Sequence, residues 1–282
     1  MKILEAIGDI REEIKEARRN NKSVGFVPTM GYLHGGHLSL IKKAKEENDL
    51  VIVSIFVNPT QFGPGEDFES YPRDLKKDSS LAQSMGADIV FSPSIEEMYP
   101  LGCSTYVEIE GDITKKLCGA SRSGHFKGVA TVVTKLFNIV MPNRAYFGQK
   151  DAQQVAVIKR MVKDLHLDVE IVPCPIVREG DGLAMSSRNT YLNEEERRAG
   201  TILSKALFEA KERIEEGEIN PLKISYFIIE TIESEPLCEI DYVEVVHGET
   251  LESIERVKGD VLIALAVKIG KTRLIDNLRL EV

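Results

Sequence analysis

The stretch from Phe26 to Val57 constrains the fold most. It reads as a short apolar run, a glycine-rich turn, a helix with apolar periodicity, and a second apolar run, LVIVSIFV. Uniformly apolar runs rich in β-branched residues belong to parallel strands covered on both faces. Strand, helix and strand in that order make a βαβ unit with a right-handed crossover. The turn, FVPTMGYLHGGH, carries His34 and His37. Three positions apart, they share one face of the helix that follows. A helix start offers unpaired N–H groups and a positive dipole end, both of which favour phosphate. Gly35 and Gly36 have no Cβ, so a ligand can approach the backbone closely. His-x-x-His is also a metal pair, but zinc needs three or four ligands and no nearby Cys or His completes the set. A Gly-Gly turn alone is often only a turn, so the motif takes its weight from the strand–turn–helix context.

The length of 282 residues suits one large domain or two smaller ones. Hydrophobic residues at 43% are enough for a real core. A net charge of −9 argues against a general nucleic-acid binder, which shows a basic face. No run of 18 apolar residues occurs, so no transmembrane helix is expected. The N-terminal MKILEAIGDIREEIKEARRN lacks the apolar core and cleavage site of a signal peptide. Cys103, Cys118, Cys174 and Cys238 are scattered and form no C-x-x-C pair. Reduced thiols in a cytoplasmic protein are therefore expected.

Apolar spacing predicts a helix over 3–19, then strands at 23–27 and 50–57. Asn58 to Gly65 follows the second strand as a Pro/Gly loop with the amides Asn58 and Gln61. Loops at the carboxyl ends of parallel strands are where such sheets bind ligands, though composition alone favours a plain turn. A helix is expected over 75–85, and strands over 88–91 and 105–109. The loop GASRSGHFKG carries Arg122, His125 and Lys127. It is either a solvated connection or a binder of a carboxylate or phosphate. A helix over 129–140, a strand over 144–147, a helix over 152–165 and a strand over 169–174 come next. Lys150 sits between strand and helix, where its charge can lie over a phosphate. Asp151 with Gln154 fits a helix cap. Ser186, Ser187 and Arg188 together make a phosphate clamp or an exposed loop. Helices over 194–216 and 221–233, then strands over 240–246, 261–267 and 274–282, lack βα alternation. This predicts an α/β fold: a Rossmann-like parallel-sheet domain, 1–176, and a smaller α+β domain, 177–282.

Six motifs then carry a resemblance: PTMGYLHGGHLSLI at 28–41, FVNPTQFGP at 56–64, YPRDL at 71–75, SGHFKGVATVVTKLFNIV at 123–140, FGQKDAQQ at 147–154 and LAMSSRN at 183–189. In this order, over nearly the whole length, they resemble the pantoate–β-alanine ligase (pantothenate synthetase) family. That family belongs to the nucleotidyl transferases with a HIGH-type signature, here His34-Gly35-Gly36-His37, and a KMSKS-type loop, here Met185-Ser186-Ser187-Arg188. Ala184 stands where the loop pattern has a lysine, and Arg188 replaces the later one. The resemblance implies adenylation of pantoate by ATP and then attack by the amine of β-alanine, with magnesium on the ATP phosphates. It implies His37, His34, Lys150 and Arg188 as catalytic. It implies Met30, Gly31, Tyr32, Leu33, His34, Gly35, Gly36, His37, Gly148, Gln149, Lys150, Asp151, Val177, Met185, Ser186, Ser187 and Arg188 around ATP. Gln61 and Gln154 would bind pantoate, with Gln61 also near β-alanine and Asn58, Arg122 and His125 as weaker candidates. Asp78 is the candidate magnesium ligand. The C-terminal domain would act as a lid. A homodimer through the first domain is implied, to which Val129–Val140 either contributes surface or simply packs as core.

Two other readings stand beside this one. The chain could be another adenylyl transferase, or a fragment of an aminoacyl-tRNA synthetase. The acidic balance counts against the synthetase, and FVNPTQFGP and GHFKG count against both. A nucleotide-binding regulatory module without catalysis would tolerate loss of Lys150 and His37, yet both are present.

Overall fold

The structure, a computed structural model, describes all residues from Met1 to Val282. It comprises two compact units. One contains Met1–Ile109, Arg122–Gln149 and Val157–Pro175; the other contains Glu110–Ser121, Lys150–Ala156 and Ile176–Val282.

In chain order, β1 (Lys2–Leu4) and α1 (Ile7–Arg19) lead to β2 (Val24–Thr29), α2 (Gly35–Glu47) and β3 (Leu50–Ile55). Next come α3 (Leu75–Ser84), β4 (Ile89–Phe91) and the single turns α4 (Ile95–Met98) and α5 (Cys118–Ser121). Then follow α6 (His125–Val140), β5 (Arg144–Gly148), α7 (Ala152–Asp164) and β6 (Glu170–Cys174). The chain ends with α8 (Glu194–Gly200), α9 (Ile202–Glu215), α10 (Pro221–Glu233), β7 (Cys238–His247), β8 (Asp260–Ile269) and β9 (Thr272–Glu281).

The first unit holds the expected parallel sheet, in the order β1-β4-β3-β2-β5-β6. Every neighbouring pair is parallel. Each central strand is apolar on both sides because both faces are covered. Val27, Val51 and Val53 pack with Leu40, Ile41 and Ala44 of α2 and Ala82 of α3. Phe26 points the other way and meets Phe137 of α6 edge-on, ring centroids 6.4 Å apart. The strand order reverses between β2 and β5. The loops leaving their carboxyl ends therefore diverge and open a crevice. In this unit those loops are Met30–His34 and Gly148–Gln149.

Three local expectations are corrected. Ile3 and Leu4 are not helical: they pair in β1 with Val90 and Phe91. Helical spacing continues through them, but the edge of β4 offers their backbone a ladder that the helix start cannot. Residues 105–109 form no strand. The Val107 N–H instead donates to Thr131 Oγ1 (2.9 Å), and that hydroxyl donates to the Val107 carbonyl (3.4 Å). One threonine of α6 thus does the work of a neighbouring strand. The helix expected over 194–216 is two helices, broken at Thr201 after Gly200. Val129–Val140 is resolved as core, because Val129, Val132, Val133, Leu136, Phe137 and Val140 are all buried within the chain.

The second unit holds the antiparallel sheet β7-β8-β9. Alternate residues of β8 face opposite ways. Val261, Ile263, Leu265 and Val267 pack against α9 and α10 through Leu203, Leu207, Ile224 and Ile228. Leu262 and Ala264 face Leu117, Ala152 and Ala156. The first turns of α7 therefore belong to this unit, and the remainder of the helix to the other.

Candidate active site

The turn after β2 is built around a buried carboxylate. Gly31 and Tyr32 both have positive φ, 86° and 52°, so successive N–H groups turn toward one point. Asp78 of α3 fills it: its two oxygens accept the Tyr32 and Leu33 N–H groups, each at 2.7 Å. Asp78 is 1% exposed. Burial pushes its carboxyl above its ordinary range, against the two backbone donors that pull it down. A Cβ at residue 31 would lie 2.9 Å from Asp78 Oδ2, so the close approach also calls for glycine.

The same turn delivers the two histidines. His34 is the N-cap of α2, and its Nδ1 accepts the Gly36 N–H (3.2 Å). The His34 N–H in turn donates to His37 Nδ1 (3.4 Å). Each imidazole thus plays the part that Ser and Glu play in the usual capping box. Because Nδ1 accepts in both rings, the neutral tautomer carries its proton on Nε2. The ring centroids lie 4.0 Å apart, so two Nε2–H donors are presented together at a helix start.

After β3, Asn58 organises the loop that carries Gln61. Asn58 is 1% exposed and Gln61 8%. Asn58 Nδ2 donates to Gln61 Oε1 (3.1 Å) and to the Gly128 carbonyl (3.2 Å). Asn58 Oδ1 accepts from the Tyr99 hydroxyl (2.8 Å) and from Thr60 Oγ1 (3.0 Å). Gln61 Nε2 donates to Met30 Sδ (3.1 Å), joining this loop to the one after β2.

Arg122 and His125 complete the cluster. Arg122 is bidentate on Glu66, through Nε (2.8 Å) and a terminal nitrogen (2.6 Å). Another terminal nitrogen donates to His125 Nε2 (3.1 Å), so His125 Nδ1–H donates to the Gln61 carbonyl (2.8 Å). Burial raises the Glu66 carboxyl, but the Arg122 guanidinium outweighs it and holds the group below its ordinary value. Much of the basic loop's charge is answered internally, since Lys127 also pairs with Glu108 (2.9 Å). Glu66, Tyr99 and Gly128 were not singled out from sequence. Gly128 entered there only as the last residue of the glycine-rich loop, because the helix was expected to start at Val129, whereas α6 starts at His125.

The remaining candidates from Lys150 onward lie in the second unit. A 3-10 turn over Gln149–Asp151 runs directly into α7, so that helix is entered from a helical turn rather than from an extended cap at Asp151. Lys150 and Gln154 are half-buried and Asp151 is exposed. Val177 to Met185 forms a tight hairpin: the Met185 N–H donates to the Val177 carbonyl (3.0 Å), and Glu179 and Leu183 are tied at 2.8 Å. Ser186 caps the 3-10 turn Ser187–Tyr191, its hydroxyl accepting the Arg188 N–H (3.2 Å). Asn189 Nδ2 ties that turn back to Glu179 (2.7 Å) and to the Ala184 carbonyl (3.1 Å).

A magnesium cage does not fit these residues. Both Asp78 oxygens are committed to backbone donors, and no group of three His, Cys, Asp or Glu side chains gathers for a metal. Asp78 shapes the histidine turn. No helix is long and apolar enough to cross a membrane.

Comparison with known proteins gives the family. The family profile described as pantoate-beta-alanine ligase matches residues 2–279. The chain is 60% identical to the pantothenate synthetase of Acetivibrio thermocellus over 282 residues, covering 100% of both chains. It is 60% identical to that of Fervidobacterium nodosum over 278 residues, 99% of each. The crystal structure of pantothenate synthetase from Thermus thermophilus superposes with a TM-score of 0.94 at 46% identity, covering 99% of both chains. The pantoate-beta-alanine ligase of Francisella tularensis, complexed with beta-gamma ATP and beta-alanine, superposes with a TM-score of 0.79 at 38% identity, covering 99% of this chain and 97% of that one. The chain therefore belongs to the pantoate–β-alanine ligase family, the enzymes that join pantoate to β-alanine with ATP to make pantothenate.

Proposed function

We propose that the chain makes pantothenate in two half-reactions through a bound pantoyl adenylate. A pantoate carboxylate oxygen attacks the α-phosphorus of ATP, and the bond to pyrophosphate breaks. The amine of β-alanine then attacks the acyl carbon. AMP departs with the bonding electrons, and the amine loses a proton. Both steps place charge on phosphate oxygens, so positioned donors and cations stabilise them as that charge forms.

The observation that carries this reading is the double-histidine capping box, which presents two Nε2–H donors at the start of α2. We assign His34, His37 and Lys150 to the phosphates, with Arg188, Ser186 and Ser187 as a clamp over the β- and γ-phosphates. Met30, Gly31, Tyr32, Leu33, Gly148, Gln149, Asp151, Val177 and Met185 hold the nucleotide. Gln61 and Gln154 bind pantoate, and Gln61 borders β-alanine. Magnesium enters on the ATP phosphates, its usual carrier. The enzyme works in the cytoplasm as a homodimer.

The test is ATP–pyrophosphate exchange with pantoate present and β-alanine omitted. Pantoate-dependent exchange is expected. Exchange driven by a different acid would overturn the substrate, and none with any acid would overturn the adenylate. Lys150→Ala should fold yet lose exchange by several orders of magnitude. An unchanged turnover would sink the phosphate assignment.

A further inference from the structure

Two adjacent residues of β9 hold the two stretches of the second unit assigned to the triphosphate. Asp276 and Asn277 are each 3% exposed, in the middle of a strand paired along its length with β8. Consecutive strand residues point to opposite faces. On one face, Asn277 Nδ2 donates to the Lys150 carbonyl (2.9 Å), in the turn whose following residues Ala152 and Ala156 pack on Leu262 and Ala264. On the other, Asp276 takes a bidentate bond from Arg178, at 2.6 and 3.0 Å. Arg178 also donates to the Gly182 carbonyl (3.2 Å), inside the hairpin that leads into Met185–Arg188. That hairpin is seated by Leu183 in the core on the same side as Leu265. Asp276 Oδ1 accepts the Asn277 N–H (2.8 Å), locking the two anchors together.

A fold could pin these loops by apolar packing alone, and packing tolerates sliding. Here each is pinned by a directional bond to a buried polar side chain, and a buried pair of this kind specifies one arrangement. Burial pushes the Asp276 carboxyl up, while Arg178 and, more weakly, the charge of Lys150 pull it down. Lys150 is thus near enough to be felt at the residue that anchors the other loop.

We propose that Asp276 and Asn277 are positioning residues for ATP, setting the spacing between Lys150 and the Ser186–Arg188 clamp so that both cations meet one triphosphate. The proposal rests on the assignment of those two segments to ATP. Misplacement should appear in the nucleotide's parameters and not in those of pantoate.

The experiment measures pantoate-dependent ATP–pyrophosphate exchange and melting temperature for Asn277→Ala, Asp276→Asn, Lys150→Ala and the core control Leu203→Ala. Asn277→Ala should raise KM for ATP and lower turnover, each about tenfold, with KM for pantoate held within about twofold. Leu203→Ala should lower the melting temperature without moving KM for ATP. If Lys150→Ala keeps its exchange activity, the underlying assignment fails. If Lys150→Ala loses it while Asn277→Ala behaves like Leu203→Ala, the positioning role alone is overturned. Asn277→Ala leaves the ion pair intact, so the question is decided even if Asp276→Asn does not fold.

Discussion

Gly128→Ala should damage the handling of pantoate far more than it damages the fold. Gly128 is the fourth residue of α6, where the helix backbone meets the Pro59–Gln61 turn. A Cβ there would stand 2.3 Å from the Thr60 carbonyl oxygen, 2.5 Å from its carbon and 2.6 Å from the Gln61 nitrogen, where ordinary contact begins at 3.4 Å. All three atoms are backbone, so no rotamer change relieves the clash. The turn must retreat by roughly 1 Å, a displacement that can cost about 10²-fold when it misplaces a substrate-binding group. Retreat also strains the Asn58 amide, which holds the Gly128 carbonyl and Gln61 Oε1 at once. Two effects on stability oppose each other. Overpacking costs about 1–3 kcal/mol, and replacing a helical glycine with alanine recovers about 1 kcal/mol. The net loss is small enough for the variant to fold. In pantoate-dependent exchange, kcat/KM for pantoate should fall about 10²-fold, with KM for ATP within about twofold. A Gly128→Ala enzyme with unchanged kcat/KM for pantoate would refute the placement of Gln61 by this contact.

Asp78→Asn removes one of the two carboxylate oxygens that accept backbone N–H groups at the histidine turn. It should cost roughly 1–3 kcal/mol in denaturant unfolding and slow adenylation, and full exchange activity would show that the turn holds without it. Tyr146→Phe deletes a buried hydroxyl that donates to Glu47 and accepts from Asn48, each at 2.7 Å. It should lower stability by roughly 1–3 kcal/mol while leaving kcat untouched; a melting temperature equal to that of the parent would contradict this. Burial raises the Glu179 carboxyl, but bonds from Arg197 and Asn189 outweigh it and leave the group below its ordinary value of 4.5. Its stabilisation is therefore present above that pH and lost as pH falls through the lowered folded value. Glu179→Gln should flatten the acid limb of the melting temperature, and an acid limb identical to the parent's would count against the pairing.

Much of the fold was legible because its signals are local. The β-branched run 50–57 and the helical spacing after His37 each report burial over a few residues, and β3 and α2 appear where they point. The histidine pair was legible only as a spacing: the rings do meet, but through a capping box in which His34 is the extended N-cap and not a residue of the helix face. Tertiary structure decided what depends on distant partners. Ile3 and Leu4 carry a helical pattern but become a strand, because β4 supplies the ladder 87 residues away. Val107 needs no strand, because Thr131 satisfies it. Asp78 found its role only in the fold, which aims the Tyr32 and Leu33 N–H groups at its two oxygens. The first turns of α7, continuous in sequence with the rest of that helix, pack in the unit of β7–β9, because Ala152 and Ala156 find their apolar partners on β8. Periodicity tells a chain which side of an element is buried. Which carboxylate, hydroxyl or strand answers a given backbone group is settled only when distant segments meet, and no spacing along the chain encodes that meeting.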